Sequence, residues 1–235
     1  KESMREFTHV NDFYDAVEDH AERQVVDGNR VYVTPDGNAY PSITSILGKQ
    51  PKTGIDEWRK KVGEEEAQRI MKDSSELGTM VHNLCEQYLY NIPLKCDYPD
   101  EAISVFNRLR FILSNVDNIY GLELPLYSDI LKVAGTADCV AEYNGKLSVI
   151  DFKTANKERQ ESWIENYFLQ TTAYAIMYEE IFGKPIEQIV ILLAGEDGSV
   201  ACYKKNPNDY KESLGKAIQE FYKYYEELNK DKVKS

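Results

Sequence analysis

The feature that most constrains this chain lies in its second half, where Cys139 to Tyr143 and Leu147 to Phe152 flank Asn144-Gly145-Lys146. Asn-Gly between alternating apolar residues is the strongest short-range signal for a β-hairpin. Side chains two apart on a strand share a face, so Asp151 and Lys153 point one way and Phe152 the other. The returning strand is mostly apolar until Asp151 and then carries two opposite charges at its end. Charges at such strand positions call for pairing or a metal. The hairpin brings Asp138, which closes Gly135-Thr136-Ala137-Asp138, toward Asp151. Two adjacent carboxylates repel, and a divalent cation is the simplest neutraliser. A lysine beside them suits metal-assisted hydrolysis, where it positions water or offsets charge on an attacked phosphate. The hairpin alone also fits a surface ribbon with solvated ends and one salt bridge.

The surrounding chain reads as helical material, then three strands, a helix, two strands and a helix. Residues 1–30 suggest an amphipathic start, with Phe13, Tyr14 and Val17 at a core edge, followed by a polar connection. His9 and His20 have no metal-ligand spacing. Arg30–Val33 and Ala39–Tyr40 flank a Pro/Asp/Gly turn, a second small hairpin. Pro41 opens a short helix whose Ser42 and Thr44 hydroxyls suit either a helix cap or a phosphate. A helix over 55–71 carries Trp58, and Asp73 with Glu76 forms a capping box for the next, through Leu89. On that second helix His82 and Glu86 lie four apart on one face, either as a metal ligand with its partner or as a plain hydrogen-bonded pair.

An apolar stripe predicts a helix over 98–118, and 119–127 alternates as a strand, with Glu123 facing away from Leu122 and Leu124. Ser162 with Glu165 opens a helix to about Phe182. On it Gln170 and Tyr174 share a face and can clamp a phosphate, a base edge or Lys153. Tyr167, Tyr174 and Tyr178 also suit ordinary packing. Strands over 186–194 and 199–203 and a helix after Pro207 complete an α/β chain. We expect one domain over 1–235, with a hairpin and helical part to about 118 and a β-sheet core over about 119–230.

Charge bears on partners. The formal net charge of −12 argues against a simple DNA coat protein but not against a nuclease, whose clustered carboxylates add to the negative total. Between Lys49 and Lys72, seven Lys or Arg stand with five Asp or Glu, a mildly basic island. Cys85, Cys96, Cys139 and Cys202 form no close pair and fit a reducing compartment. Neither a bilayer-spanning apolar run nor a signal peptide is visible, and the first residue, Lys1, leaves open a removed targeting segment.

The ordered set His82, Asp138, Asp151-Phe152-Lys153 and Gln170-x-x-x-Tyr174 resembles the PD-(D/E)XK nuclease superfamily in its RecB-like branch. Ala137 stands where the superfamily's name has proline. Tyr40-Pro41-Ser42-Ile43-Thr44, the Trp58 helix with Val62-Gly63-Glu64, and Gly78-Thr79 before His82 look like the mitochondrial genome maintenance exonuclease group and its phage relatives. The resemblance implies a restriction-endonuclease-like core, a central mixed β-sheet flanked by helices, with an N-terminal helical elaboration. It implies a metal-dependent DNA exonuclease acting on single-stranded ends or flaps. Asp138, Asp151 and Lys153 would be its catalytic centre, supported by Gln170 and Tyr174. His82, Asp138 and Asp151 would hold one or two Mg or Mn ions, with Glu86 or Glu123 either completing the coordination or anchoring the histidine helix. Ser42, Thr44, Trp58 and Tyr174 are the candidates for DNA contact, with a core role the alternative for Trp58. The cysteines do not match the four-cysteine pattern of iron-sulfur relatives, so no cluster is expected. DNA is the expected partner, with a replication or recombination protein beside it. A monomer free of membranes is expected, in a host cytoplasm if phage-encoded or a mitochondrial matrix if a transit segment was removed. The alternatives are a catalytically weak DNA-end-binding subunit and an endonuclease of the same fold.

Overall fold

The structure, a computed structural model, describes residues 5–10, 21–26, 29–49, 53–94, 97–155 and 157–234. Phe13, Tyr14, Val17, His20 and Cys96 lie outside the described residues. Near the start, β1 (Glu22–Val26), β2 (Asn29–Val33) and β3 (Ala39–Pro41) form a small antiparallel sheet. The β2–β3 hairpin turns where its Pro/Asp/Gly segment predicts, with Gly37 at φ 84. β1 replaces the polar connection expected there. It is an edge strand with largely exposed side chains, held by pairing to β2, so no apolar alternation announced it.

Four helices follow: α1 (Ile43–Gly48), α2 (Thr53–Val62), α3 (Glu64–Leu89) and α4 (Asp100–Leu113). The helix break falls at Gly63 rather than at Asp73. Gly63 has φ 88, a left-handed conformation that glycine takes without a Cβ penalty. Asp73 sits within α3 and ion-pairs with Arg69 one turn back, at 3.4 Å. The expected 98–118 helix is shorter, because Val116 already pairs with Tyr143 in the sheet.

The central sheet contains β4 (Val116–Ser128), β5 (Val133–Tyr143), β6 (Lys146–Ala155), β7 (Gln188–Gly195) and β8 (Val200–Lys205), in that spatial order. All neighbours are antiparallel except β6 and β7, which run parallel and are joined through α5 (Lys157–Phe182). α5 begins before Ser162, so that residue lies inside the helix rather than at its cap. The β5–β6 turn has Asn144 at φ 50 and Gly145 at φ 80, and Lys146 already pairs with Tyr143. A single 3-10 turn leads into α6 (Lys211–Val233).

Strand periodicity divides the core. Val140, Val149, Ile189 and Ile191 pack with residues of α1, α5 and α6, while Cys139, Ala141, Ile150, Phe152, Val190 and Leu192 pack with α3 and α4. β7 is buried throughout, which accounts for its unbroken Ile-Val-Ile-Leu-Leu run. The result is the expected mixed sheet flanked by helices, with a helical region preceding it. Among the described residues no helix is long and apolar enough to cross a membrane.

Candidate active site

The β5–β6 ladder extends from Tyr143–Lys146 to Cys139–Ile150 and stops one residue short of Asp138 and Asp151. Past that point the Phe152 N–H donates to Asp138 Oδ2 at 2.9 Å. A carboxylate thus takes the place of a backbone acceptor, and the strand amide is satisfied without closing the ladder. β6 itself stays paired on its other edge, where the ladder with β7 continues to Ala155.

Asp151 is 3% exposed and its Oδ2 lies 3.0 Å from Lys153 Nζ, an ion pair without a well-aligned hydrogen bond. Burial, then the charge of Asp151, pushes the Asp138 carboxyl well above its usual range. Burial also pushes Asp151 upward, but Lys153 and the bond to Asp138 outweigh it and hold that group low. Lys153 is held high: burial opposes its charge, and the two acids more than compensate. The buried pair therefore shares one proton, as expected for two carboxyls that cannot both ionise in a dry site.

His82, on α3, stands beside this pair. Its Nδ1 is 3.7 Å from Asp138 Oδ1, and its Nε2 makes a short hydrogen bond with Glu123 Oε1. Burial opposes protonation of His82, yet Glu123 tips its pKa upward. Glu86, one helical turn along, completes a group in which one ligand atom each from His82, Glu86 and Glu123 lies within 4.8 Å of the others. Glu123 sits within β4 at φ 48, a left-handed conformation that costs a non-glycine residue on the order of 1–3 kcal/mol. The sequence offered Glu123 by its alternation but gave no sign of that backbone conformation.

On the other side, Lys153 Nζ donates to Gln170 Oε1 at 2.9 Å and lies 5.0 Å from the centre of the Tyr167 ring. Gln170 Nε2 donates to Thr44 Oγ1 at 2.8 Å. Gly135 explains itself here: a Cβ at that position would fall 2.6 Å from Tyr174 Cε1. Tyr32 Oη and Thr136 Oγ1 bond at 2.7 Å and tie the small sheet to β5. Tyr32, Thr136 and the Lys153 contact of Tyr167 escaped the sequence reading. The only available signal was the spacing of Tyr167, Gln170 and Tyr174 on one helix face.

The residues expected to touch DNA divide. Ser42 is 2% exposed and its hydroxyl accepts from Ser45 N, so of its two expected roles the helix cap is the one this geometry meets. Tyr174 is 3% exposed, its ring lies against Gly135, and burial with the nearby acids pushes its phenol up. Thr44 is exposed but engaged with Gln170. Trp58 is half-buried on α2, which packs against α3 and α5.

The donor chemistry fits a divalent cation. Asp151 Oδ2 is sealed from solvent with an incomplete set of hydrogen bonds, and carboxylates with one imidazole surround it and its neighbour Asp138. The His82–Glu86–Glu123 group can itself coordinate such an ion.

A sequence profile of the PD-(D/E)XK nuclease superfamily matches residues 105–233, a span with Glu123, Asp138, Asp151, Lys153, Gln170 and Tyr174 but not His82, Glu86 or Thr44. Mitochondrial genome maintenance exonuclease 1 of Mus musculus is 28% identical over 180 residues, covering 70% of this chain and 52% of that protein. The Homo sapiens protein of the same name is 27% identical over 179 residues, with coverage of 70% and 52%. The Xenopus tropicalis protein is 27% identical over 175 residues, with coverage of 68% and 50%. The chain spans about half the length of these relatives.

Proposed function

Given that the chain belongs to the PD-(D/E)XK nuclease superfamily, we propose that it is a Mg- or Mn-dependent DNA exonuclease working from single-stranded ends or flaps. The observation that carries this reading is the meeting of Asp138, Asp151 and Lys153 where the β5–β6 ladder opens, with His82 alongside. The exonuclease choice draws support from the relatives that bear that name.

Asp138, Asp151 and His82 would hold the cation, with Glu86 and Glu123 beside His82. A divalent cation in such a site acidifies water and polarises a phosphoryl oxygen. The imidazole favours Mn, which tolerates nitrogen ligands more readily than Mg. Lys153, fixed between Asp151 and Gln170, presents a charged donor to the attacked phosphate and offsets the negative charge that develops there. Glu123 orients the His82 ring by taking up Nε2, which leaves Nδ1 turned toward Asp138. The half-buried Trp58 and the basic residues of α2 would meet the incoming strand near that edge. A replication or recombination protein would deliver the strand, and a monomer suffices because every named group lies on one chain.

The test is a time course with 5′- and 3′-labelled single strands, duplexes, flaps and closed single-stranded circles, each with Mg, Mn or chelator. Loss of labelled linear strands and flaps with either metal, abolished by chelator, is expected. Binding of ends without turnover under every condition would overturn the enzymatic reading in favour of an end-binding subunit.

A further inference from the structure

We propose that Thr44 is a positioning residue for Lys153, acting through the amide of Gln170; this rests on the nuclease reading above. The direction of each hydrogen bond in this group is fixed by its chemistry. An ammonium group has only donors, so the end of Gln170 facing Lys153 is Oε1, at 2.9 Å. The amide nitrogen is then turned outward and needs an acceptor, which Thr44 Oγ1 supplies at 2.8 Å. The chain from Lys153 to Gln170 and Thr44 has one consistent set of donors and acceptors.

Thr44 is well placed to enforce that order. It lies in the first turn of α1, whose start is fixed by the Ser42 cap and whose Ile43, Ile46 and Leu47 are buried in the core. Ser42 also bridges to Ala134 on β5, so the helix is anchored to the strand that bears Asp138. Without an oxygen at Thr44, the Gln170 amide loses the contact that holds its outer end. Freed at that end, the amide holds the ammonium less firmly and leaves Lys153 to follow Asp151 alone. Helix α1 thereby sets the aim of a side chain more than a hundred residues later.

The measurement compares Thr44→Val, which keeps the shape and removes the oxygen, with Thr44→Ser, which restores it. Kinetics on a labelled single strand and the NMR order parameter of the Lys153 side chain are read in the same proteins. Loss of one charge-assisted bond predicts roughly a tenfold fall in kcat for Thr44→Val, with KM within about twofold, and near-parental values for Thr44→Ser. The Lys153 order parameter should fall in Thr44→Val and recover in Thr44→Ser. In a Gln170→Ala background, Thr44→Val should add nothing. Parental kcat and Lys153 order in Thr44→Val would overturn the assignment, as would additive losses or a failure of Thr44→Ser to rescue. If the parent protein cleaves no strand, the nuclease reading fails, while the Lys153 order parameter still decides the positioning role.

Discussion

At the residue scale, the coupled acids dominate. Asp138 is held well above an unfolded aspartate value of about 4, by burial and then by Asp151. Between the two values the folded chain holds a proton that the unfolded chain has lost, so stability falls as pH rises. In chelator, unfolding by urea should therefore become easier from about pH 4 upward, and Asp138→Asn should flatten that slope. A variant with the parental slope would contradict the shared proton. Asp151→Asn and Lys153→Ala should each lower metal-dependent cleavage by at least about a hundredfold, read as initial rates on a labelled strand. Folded Lys153→Ala protein with parental rates would remove the lysine from the mechanism. These three residues were legible because opposite charges at the end of an apolar strand need a reason. The Gln170–Thr44 bond was not, since 126 residues separate its ends and no local pattern links them.

At the element scale, β5 and the second half of α5 fit together at one close approach. A methyl group on Gly135 would meet the Tyr174 ring at 2.6 Å, and that ring is buried against the acids. Gly135→Ala should cost about 1–3 kcal/mol in chemical denaturation, the usual range for overpacking, and lower activity by displacing Tyr174. An unchanged midpoint would mean that the two elements part more easily than their packing implies. Much of this layout could be read in advance. The Asn-Gly turn, the apolar β7 and the long α5 each follow from local chemistry. The failures have physical causes as well: Gly63 broke the helix more strongly than the Asp73–Glu76 pair capped one, and β1 is specified by its neighbour's backbone instead of its own side chains.

At the scale of the whole molecule, a site assembled from α1, α3, β4, β5, β6 and α5 should respond to metal as a unit. Mn should raise the melting temperature of the parent in proportion to the logarithm of its concentration, as mass action requires for a ligand of the folded state. Asp138→Asn with Asp151→Asn should lose that rise, measured by calorimetry. An exonuclease should leave closed single-stranded circles intact while consuming the same strand once nicked, and rapid linearisation would mark an endonuclease. The sequence supplied the order of the elements but not the way α1 and α3 lean on opposite sides of the acid pair, which emerges only when the sheet is assembled.

The link between Leu89 and Asp100 separates α3 from α4 and falls between two sets of contributors. Upstream lie Thr44, His82 and Glu86; downstream lie Glu123, Asp138, Asp151, Lys153 and Gln170. Severing the chain there would yield two fragments, each missing corners that the other supplies. Reunited through the buried Leu84 and Leu89 surface, they would form a switch whose output reports proximity.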